Sequence, residues 1–282
     1  MAARREIALT AFTRAQSDIS DQTAVAAALA EYRPSLVVNA AAYTNVDRAE
    51  TETSAALNAN AHGPAVLASA CADVELPLVH ISTDYVFDGS KARAYQESDP
   101  INPINAYGHS KAAGEAAVRR LHPRHIILRP SWLYGEFGHN FLKTIVRLAQ
   151  EREELRVVAD QRGSPTSTRD LAAAILRIAP RLAMGEKVWE TYHFTGSGVT
   201  TWHGFASCIV AAQAPLTGRN PRVTTITTAE FPTPARRPAN SELDCSLFEQ
   251  TFGFRARAWA EEVTEITQAV VLAQQGIAAH VA

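Results

Sequence analysis

Three side chains in the first half of the chain could together carry out acid–base chemistry on a carbonyl group. Tyr107 and Lys111 stand four residues apart in YGHSK, so on a helix they share one face. A phenol has an ordinary pKa of about 10, and a neighbouring ammonium group favours its deprotonated form, which predicts that Lys111 lowers the pKa of Tyr107. Thr83 ends an apolar run and could hydrogen-bond the substrate oxygen.

The hydrophobic pattern predicts the elements that would bring these residues together. The apolar runs SLVVNA, PLVHIS and HIILRP are typical of strands buried on both faces. They alternate with helical segments: DQTAVAAALAEY with Asp21 as its N-cap, an Ala-rich helix over about residues 54–71, and NAYGHSKAAGEAAVRRL. REIALTAF predicts one more short strand ahead of the first helix. The alternation indicates an α/β fold, a doubly wound parallel sheet with ligands beyond the carboxyl ends of its strands.

The pattern also predicts two lobes. The regular alternation of strand and helix extends to about residue 155 and then gives way to mixed elements and the irregular segment FPTPARRPANSELD. We therefore expect a dinucleotide-binding domain over 1–155, to which the chain returns at about 165–196. Residues 156–282 would mainly form a smaller, interleaved substrate-binding lobe that closes over the end of the sheet.

Composition excludes several classes of protein. The 282 residues are 46% hydrophobic, and 27 basic against 29 acidic residues give a net charge of −2, which offers no basic field for nucleic acid. No apolar run suggests a membrane span, and no secretory signal precedes the first helix, so we expect a soluble cytoplasmic protein. Cys71, Cys208 and Cys245 are few and far apart, which favours packing roles over disulfides, and no cluster has metal-binding spacing.

Several motifs in order give the sequence a strong family resemblance. VVNAAAYTNVDRAE, STDYVFDG, YGHSKAAGE, RPSWLYGEFGHNFLKT, VVADQRGSPTSTRDLA and FPTPARRPANSELD resemble the extended short-chain dehydrogenase/reductase superfamily and, within it, the dTDP-4-dehydrorhamnose reductase family. The resemblance implies a Rossmann-like fold. It also implies reduction of the C4 keto group of dTDP-4-dehydro-L-rhamnose to dTDP-L-rhamnose, with NADPH or NADH as the cofactor, in the synthesis of surface polysaccharide.

The resemblance also implies roles for individual residues. Tyr107 would be the proton donor, Lys111 would hold the nicotinamide ribose, and Thr83 would bind the C4 carbonyl. The implied cofactor-binding residues are Asp18, Ile19, Ala41, Ala42, Thr44, Tyr107 and Lys111. The implied substrate-binding residues are Val46, Thr83, Tyr85 and Trp132, joined by Arg236, whose guanidinium group, like that of Arg237, could grip a nucleotide diphosphate. Trp132 could equally be a packing residue, and a homodimer stays open.

One family feature has no counterpart in the sequence. In the family a first strand and a Gly-x-x-Gly-x-x-Gly turn place backbone amides against the cofactor pyrophosphate, whereas the first glycine here is Gly63. REIALTAF aligns with the second strand of the family. Our hypothesis is that the true start lies roughly 20 residues upstream, enough for a strand, a turn and part of a helix. The alternative is a truly shortened gene whose product is unstable or binds its cofactor weakly.

Other functions remain open at this point. Sugar-nucleotide dehydratases carry an Asp-Glu pair after the Ser or Thr, whereas Asp84 is followed here by Tyr85, which argues against elimination of water. A sugar-nucleotide epimerase would be recognised by NAD that is never released. A non-catalytic regulatory subunit resembling the methionine adenosyltransferase β subunit would bind a protein partner without turning over a keto sugar.

Overall fold

The computed structural model describes residues 7–276 as alternating helices and strands. The nine α-helices among these residues are α1 (Gln22–Tyr32), α2 (Thr53–Leu57), α3 (Gly63–Asp73), α4 (Ala106–Leu121), α5 (Phe141–Glu151), α6 (Thr168–Ala183), α7 (Trp202–Thr217), α8 (Ser246–Phe252) and α9 (Trp259–Gln274). The strands are β1 (Val37–Asn39), β2 (Leu78–Ile81), β3 (His125–Arg129), β4 (Leu133–Tyr134), β5 (Glu154–Val158), β6 (Arg162–Gly163), β7 (Thr166–Ser167), β8 (Thr191–His193), β9 (Thr200–Thr201) and β10 (Arg222–Ile226).

The largest sheet among the described residues has four strands in the order β1-β2-β3-β8, and every neighbouring pair is parallel. Side chains alternate between its two faces. Leu78 and Ile127 pack with residues of α3 and α4, whereas Val79 and Ile81 pack with residues of α6 and α8. Each apolar side chain buried in this way contributes roughly 1.5–3 kcal/mol. Helices on both faces of a parallel sheet confirm the predicted Rossmann-like, doubly wound α/β fold.

A second apolar core includes no residue of this sheet. Residues of α5, α7 and α9 pack together with Leu155 of β5, which pairs in parallel with β10. The predicted division of the chain into domains at about residue 155 stays a prediction. Helix α6 and strand β8 lie with the four-stranded sheet, and both fall within the predicted return at 165–196. Helix α5 packs in the second apolar core, although it precedes residue 155.

The strand predicted over REIALTAF is wrong for the part that the structure describes. Residues 7–12 form no strand, Leu9 is 73% exposed, and Phe12 instead packs edge-on against Tyr32 of α1. The first two residues of the motif lie outside the described residues. A strand needs a neighbour to complete its hydrogen bonds, and an alternating pattern alone cannot supply one. In the described sheet, β1 pairs with β2 and has no partner along its other edge.

The helical stretch over residues 53–73 contains a π-turn, Asn58–His62, between α2 and α3. The turn places the carbonyl oxygen of Asn60 only 2.0 Å from where a Cβ atom on Gly114 of α4 would stand. The buried Asn60 side chain donates to Ser110 of α4 at 2.9 Å and exchanges hydrogen bonds with both backbone groups of Tyr43. The π-turn therefore ties the loop after β1 closely to α4.

Among the described residues, 7–276, no helix is long and apolar enough to cross a membrane. In the same part of the chain, no three His, Cys, Asp or Glu side chains are grouped so that they could hold a metal ion. The three cysteines are free, and burial raises the pKa of the Cys71 thiol to about 12, so this side chain behaves as a small apolar packing residue.

Candidate active site

The end of β2 presents a short polar turn. Ser82, Thr83 and Asp84 follow the four buried residues of the strand and are themselves buried. The Thr83 hydroxyl accepts a hydrogen bond from the Tyr85 backbone amide at 3.2 Å and donates to Asp84 Oδ1 at 3.0 Å. Thr83 thereby caps the helical turn Asp84–Val86, which fixes its hydroxyl group at the carboxyl edge of the sheet.

Helix α4 places Tyr107 against this turn. Asn105 caps the helix by accepting a hydrogen bond from the Gly108 amide at 2.7 Å. Gly108 packs against the turn so closely that a Cβ atom there would lie 2.2 Å from the carbonyl oxygen of Tyr85. The close approach brings the Tyr107 side chain near enough to Thr83 for the Thr83 hydroxyl to affect the pKa of Tyr107. Two of the three predicted acid–base residues are therefore neighbours.

Lys111 lies one helical turn further on, almost completely buried. Its Nζ atom donates a hydrogen bond to the carbonyl oxygen of Ile81 at 2.6 Å, at the last residue of β2. Burial lowers the pKa of Lys111 to about 8, although the nearby Glu115 carboxylate opposes this shift. The helix therefore brings all three predicted groups to the same strand end.

The predicted effect of Lys111 on Tyr107 is not observed. Burial raises the pKa of Tyr107 to about 12, the nearby Thr83 hydroxyl group opposes the rise, and the Asp84 charge adds to it. The prediction considered only the neighbouring positive charge, whereas removal of the phenolate from water has the larger effect here. At neutral pH Tyr107 therefore carries its proton, as a group that donates a proton must.

A buried ionic network lies beneath Lys111. The Glu115 carboxylate accepts two hydrogen bonds from Arg129 of β3, at 2.8 and 2.7 Å, one from Ser82 at 2.5 Å and one from Arg119 at 2.9 Å. Arg129 in turn contacts the His193 ring at 3.3 Å. Burial alone would raise the pKa of Glu115, but Arg129, Arg119 and Ser82 outweigh it and lower the pKa to about 2. The network joins α4 to three strands of the sheet.

The predicted cofactor-binding residues divide into two groups. Ala41, Ala42 and Thr44 are exposed at the carboxyl end of β1, where their small side chains leave the edge of the sheet open. Asp18 accepts hydrogen bonds from Ser20 and Arg14, which together lower the pKa of its carboxyl group to about 2. Ile19 packs on Gly63 at the start of α3, so its side chain is already engaged within the protein.

The predicted substrate-binding residues surround Tyr107 from the other side. The Tyr85 ring stands edge-on to the Tyr107 ring, with 5.9 Å between their centroids. The irregular segment 231–240, here named the strap, brings the Arg237 guanidinium group to 6.0 Å from the Tyr85 centroid and pairs it with Asp47 at 2.9 Å. Arg236 is exposed, and its backbone carbonyl accepts from Asn105. The last of these residues, Val46, is half-buried next to Asp47.

Trp132 lies in the apolar core formed with residues of α5, α7 and α9, and is only 8% exposed. Its ring stacks on Trp202 with 3.7 Å between centroids, and its Nε1 atom donates to Ser241 at 3.1 Å. Its φ of 47° is rarely adopted by a bulky residue, and the stacking and hydrogen bond hold the strained conformation in place. Trp132 therefore has the packing role that the sequence analysis gave as the alternative to substrate binding. Substrate binding by Trp132 stays a prediction.

Several residues of this site were missed from the sequence. Asp84 was considered only as evidence against a dehydratase, yet it is 3% exposed and hydrogen-bonded to Thr83. Its position directly after Thr83 was the available signal. Glu115 could have been found by its spacing, four residues after Lys111 on the same helix face. Ser241 and the pairing of Asp47 with Arg237 depend on long-range contacts that spacing cannot reveal.

Fold and site together define the class of this protein: it is an oxidoreductase of the short-chain dehydrogenase/reductase type. A family model described as the RmlD substrate binding domain matches residues 1–272. The chain belongs to this family, whose curated members include many named dTDP-4-dehydrorhamnose reductase. The family resemblance predicted from the motifs is thus confirmed.

Individual relatives agree with this assignment. The chain is 42% identical over 272 residues to the dTDP-4-dehydrorhamnose reductase of Sinorhizobium fredii, covering 96% of this chain and 92% of the relative. It is similar to a solved dTDP-4-dehydrorhamnose reductase of Clostridium acetobutylicum, with 39% identity, a TM-score of 0.87 and coverage of 95% and 92%. The corresponding enzyme of Bacillus anthracis, solved in complex with NADP, gives 36% identity, a TM-score of 0.86 and coverage of 93% and 90%.

Proposed function

We propose that this chain reduces the C4 keto group of dTDP-4-dehydro-L-rhamnose to the alcohol of dTDP-L-rhamnose, with NADPH as the reductant. The observation that carries the proposal is the close approach of α4 to the turn after β2, with Tyr107 near Thr83 and buried Lys111 hydrogen-bonded to Ile81 at the end of the strand. The curated relatives named dTDP-4-dehydrorhamnose reductase support the substrate, and the relative solved with NADP supports the cofactor.

The residues at the strand ends fit the nicotinamide half of this cofactor. The exposed small residues Ala41 and Ala42 leave room at the end of β1, and the Lys111 side chain of α4 reaches the end of the neighbouring strand, β2. Asp18 would lie toward the adenine half, as the family resemblance implies. When bound, NADPH supplies the hydride that reduces the ketone.

The side chains of the protein supply the remaining steps. Thr83 orients the ketone by hydrogen-bonding its oxygen, and Tyr107 gives that oxygen the proton it needs as the alcohol forms. The raised pKa of Tyr107 keeps this proton in place until the oxygen becomes more basic. Lys111, which its hydrogen bond to Ile81 holds at the end of β2, would hold the nicotinamide ribose, as the family resemblance implies.

The alternative activities receive less support from the site. A dehydratase would need a second acid after Asp84, but Tyr85 occupies that position and directs its ring edge toward Tyr107. A regulatory subunit would not need Thr83, Tyr107 and Lys111 together. We also propose that the protein acts in the cytoplasm, where NADPH is available. We further predict a homodimer, which a measurement of molecular size in solution tests.

Replacing Tyr107 by Phe tests the proposal. We expect kcat to fall by about 10²–10⁴-fold, because the ketone loses its positioned proton donor, while the KM values change little. The measurement is the loss of NADPH absorbance with the dTDP-linked keto sugar. Tyr32→Phe, which changes an exposed tyrosine on α1, is the matched control and should keep wild-type turnover. A wild-type chain that folds and leaves both compounds unchanged would contradict the proposed reaction.

A further inference from the structure

Asp47 is a carboxylate of the motif VVNAAAYTNVDRAE that the proposed reaction leaves unused. It precedes the helical turn Arg48–Glu50, three residues after Thr44 at the predicted cofactor edge. Its Oδ1 atom accepts a hydrogen bond from the Ala235 backbone amide at 3.2 Å, and its Oδ2 atom accepts one from Arg237 Nη2 at 2.9 Å. Both donors belong to the strap, so one carboxylate holds a backbone group and a charged side chain of this segment.

The turn that follows Asp47 is itself fixed to the start of α4. Glu50 Oε1 accepts a hydrogen bond at 2.8 Å from the backbone amide of Ala106, the first residue of the helix. Asn105, which caps the same helix, donates from its side chain to the carbonyl oxygen of Arg236 in the strap at 2.8 Å. The turn, the strap and the start of α4 are therefore joined to one another by hydrogen bonds, which gives the Asp47 carboxylate a defined position.

Arg237, the charged partner of Asp47, lies beside the candidate active site. Its guanidinium carbon is 6.0 Å from the centroid of the Tyr85 ring, which stands edge-on to the Tyr107 ring. The Arg237 side chain is 19% exposed, and its Nη1 atom is buried without a hydrogen-bond partner among the described residues. Asp47 thus engages one end of the guanidinium group and leaves a donor at the other end. Such a donor suits an anionic oxygen, and phosphate oxygens match the geometry of a guanidinium group.

We propose that Asp47 is a positioning residue for the sugar nucleotide: it holds the guanidinium group of Arg237 where Nη1 can donate to the diphosphate. This inference rests on the proposed function. Asp47 acts through Arg237 and does not need to touch the ligand. Without Asp47, binding of the diphosphate would have to order a flexible side chain, which costs conformational entropy. The negative charge of Asp47 repels the diphosphate, so the proposal requires that the positioning effect outweighs this repulsion.

Asp47→Asn tests this role. The amide keeps the shape of the side chain and can still accept from Ala235, but its NH₂ group cannot accept from Arg237. We expect the Kd for dTDP, measured by titration calorimetry, and the KM for the dTDP-linked keto sugar to rise by about 3- to 10-fold. The kcat should stay within about twofold of the wild-type value, since no reacting group is changed. Asp73→Asn, at the exposed end of α3, is the matched control and should retain all three wild-type values.

A double-mutant cycle shows whether Asp47 acts through Arg237. Asp47→Asn should raise the Kd for dTDP in the wild-type background but not in the Arg237→Met background, where no guanidinium group remains to be held. A general loosening of the strap would instead weaken binding by the same factor in both backgrounds. Thermal unfolding of the four proteins checks that each is folded at the temperature of the titration.

Arginine ¹⁵N spectra give a readout on the wild-type protein that does not depend on how well an Asp47 variant folds. The Arg237 guanidinium signal, assigned by its loss in Arg237→Met, should show restricted rotation before any ligand is added. It should shift on addition of dTDP and not of thymidine, which lacks the diphosphate.

Three results would overturn the inference: equal effects of Asp47→Asn in the two backgrounds, tighter dTDP binding by Asp47→Asn, or a freely rotating Arg237 in the wild type. Tighter binding would mean that the repulsion from Asp47 outweighs its positioning effect. A wild type that binds dTDP but leaves NADPH and the keto sugar unchanged would contradict the proposed reaction instead. The double-mutant cycle would then still decide the role of Asp47.

Discussion

Arg236 and Arg237 are adjacent in the strap but occupy different surroundings. Arg237 pairs with Asp47, lies over the Tyr85 ring and has a buried Nη1 atom without a hydrogen-bond partner among the described residues. The Arg236 side chain is exposed. A guanidinium group that is held in place and still has a free donor is better prepared to bind a diphosphate than one that must be drawn in from solvent.

Exchange of each arginine for Met distinguishes the two. Arg237→Met should raise the KM for the sugar nucleotide by about 10- to 100-fold, because a charged hydrogen bond contributes roughly 1.5–3 kcal/mol. Arg236→Met should change it little, and each variant serves as the control for the other. Steady-state kinetics with varied sugar nucleotide provides the measurement. The reverse order of effects would assign the contact to Arg236, as the family resemblance implies.

Helix α4 can position its side chains only because it approaches the end of β2 so closely. Gly108 contacts the turn after β2, and Gly114 contacts the π-turn at Asn60. A side chain at either position would have to push the backbone of α4 away. Because Gly108, the residue after Tyr107, has no side chain, α4 can come close enough to place Tyr107 near Thr83.

Gly108→Ala should lower kcat by about 10²-fold without unfolding the protein, since a shift of roughly 1 Å is enough to misplace a reacting group. The added Cβ atom would meet the Tyr85 carbonyl oxygen at 2.2 Å, so α4 must move. Ala113→Gly, at an exposed position of the same helix, is the control: it should cost about 1 kcal/mol of stability and leave kcat unchanged. Thermal unfolding and NADPH oxidation are measured for both variants, and full activity in Gly108→Ala would show that α4 tolerates the shift.

Much of this arrangement could be predicted from local patterns. The apolar runs located β1, β2 and β3, and the spacing of Tyr107 and Lys111 placed both on one face of α4, because helix and strand periods are local properties. The pKa of Tyr107 could not be predicted, since it depends on how much water the folded site excludes. The strand expected over residues 5–12 failed for a related reason: a strand exists only when another strand pairs with it.

Stability at low pH depends on buried groups that connect the sheet to its helices. His193 lies in β8 beside Arg129, and burial together with the Arg129 charge lowers its pKa from 6.5 to about 3. The folded protein therefore keeps His193 neutral at pH values where the unfolded chain binds a proton. The resulting stability is present above about pH 6.5 and is lost as the pH falls toward 3, by about 1.4 kcal/mol per pH unit.

Glu115 adds a second loss at lower pH. Its pKa is about 2 in the folded protein and 4.5 ordinarily, so its contribution is complete above pH 4.5 and disappears between 4.5 and 2. The interval from pH 6.5 to 4.5 therefore reports on His193 without Glu115. His193→Asn can keep the hydrogen bond to the Tyr95 carbonyl oxygen but cannot bind a proton in either state.

Urea unfolding across that interval tests the assignment. His193→Asn should be less stable than the wild type at neutral pH, because Arg129 loses its ring partner, but its free energy of unfolding should decrease less as the pH falls from 6.5 to 4.5. His109→Asn removes an exposed histidine of α4 and should follow the wild-type pH dependence. Equal slopes in the two variants would mean that His193 binds a proton as readily in the folded protein as in the unfolded chain, and the acid sensitivity would then have to originate in other buried groups such as His80.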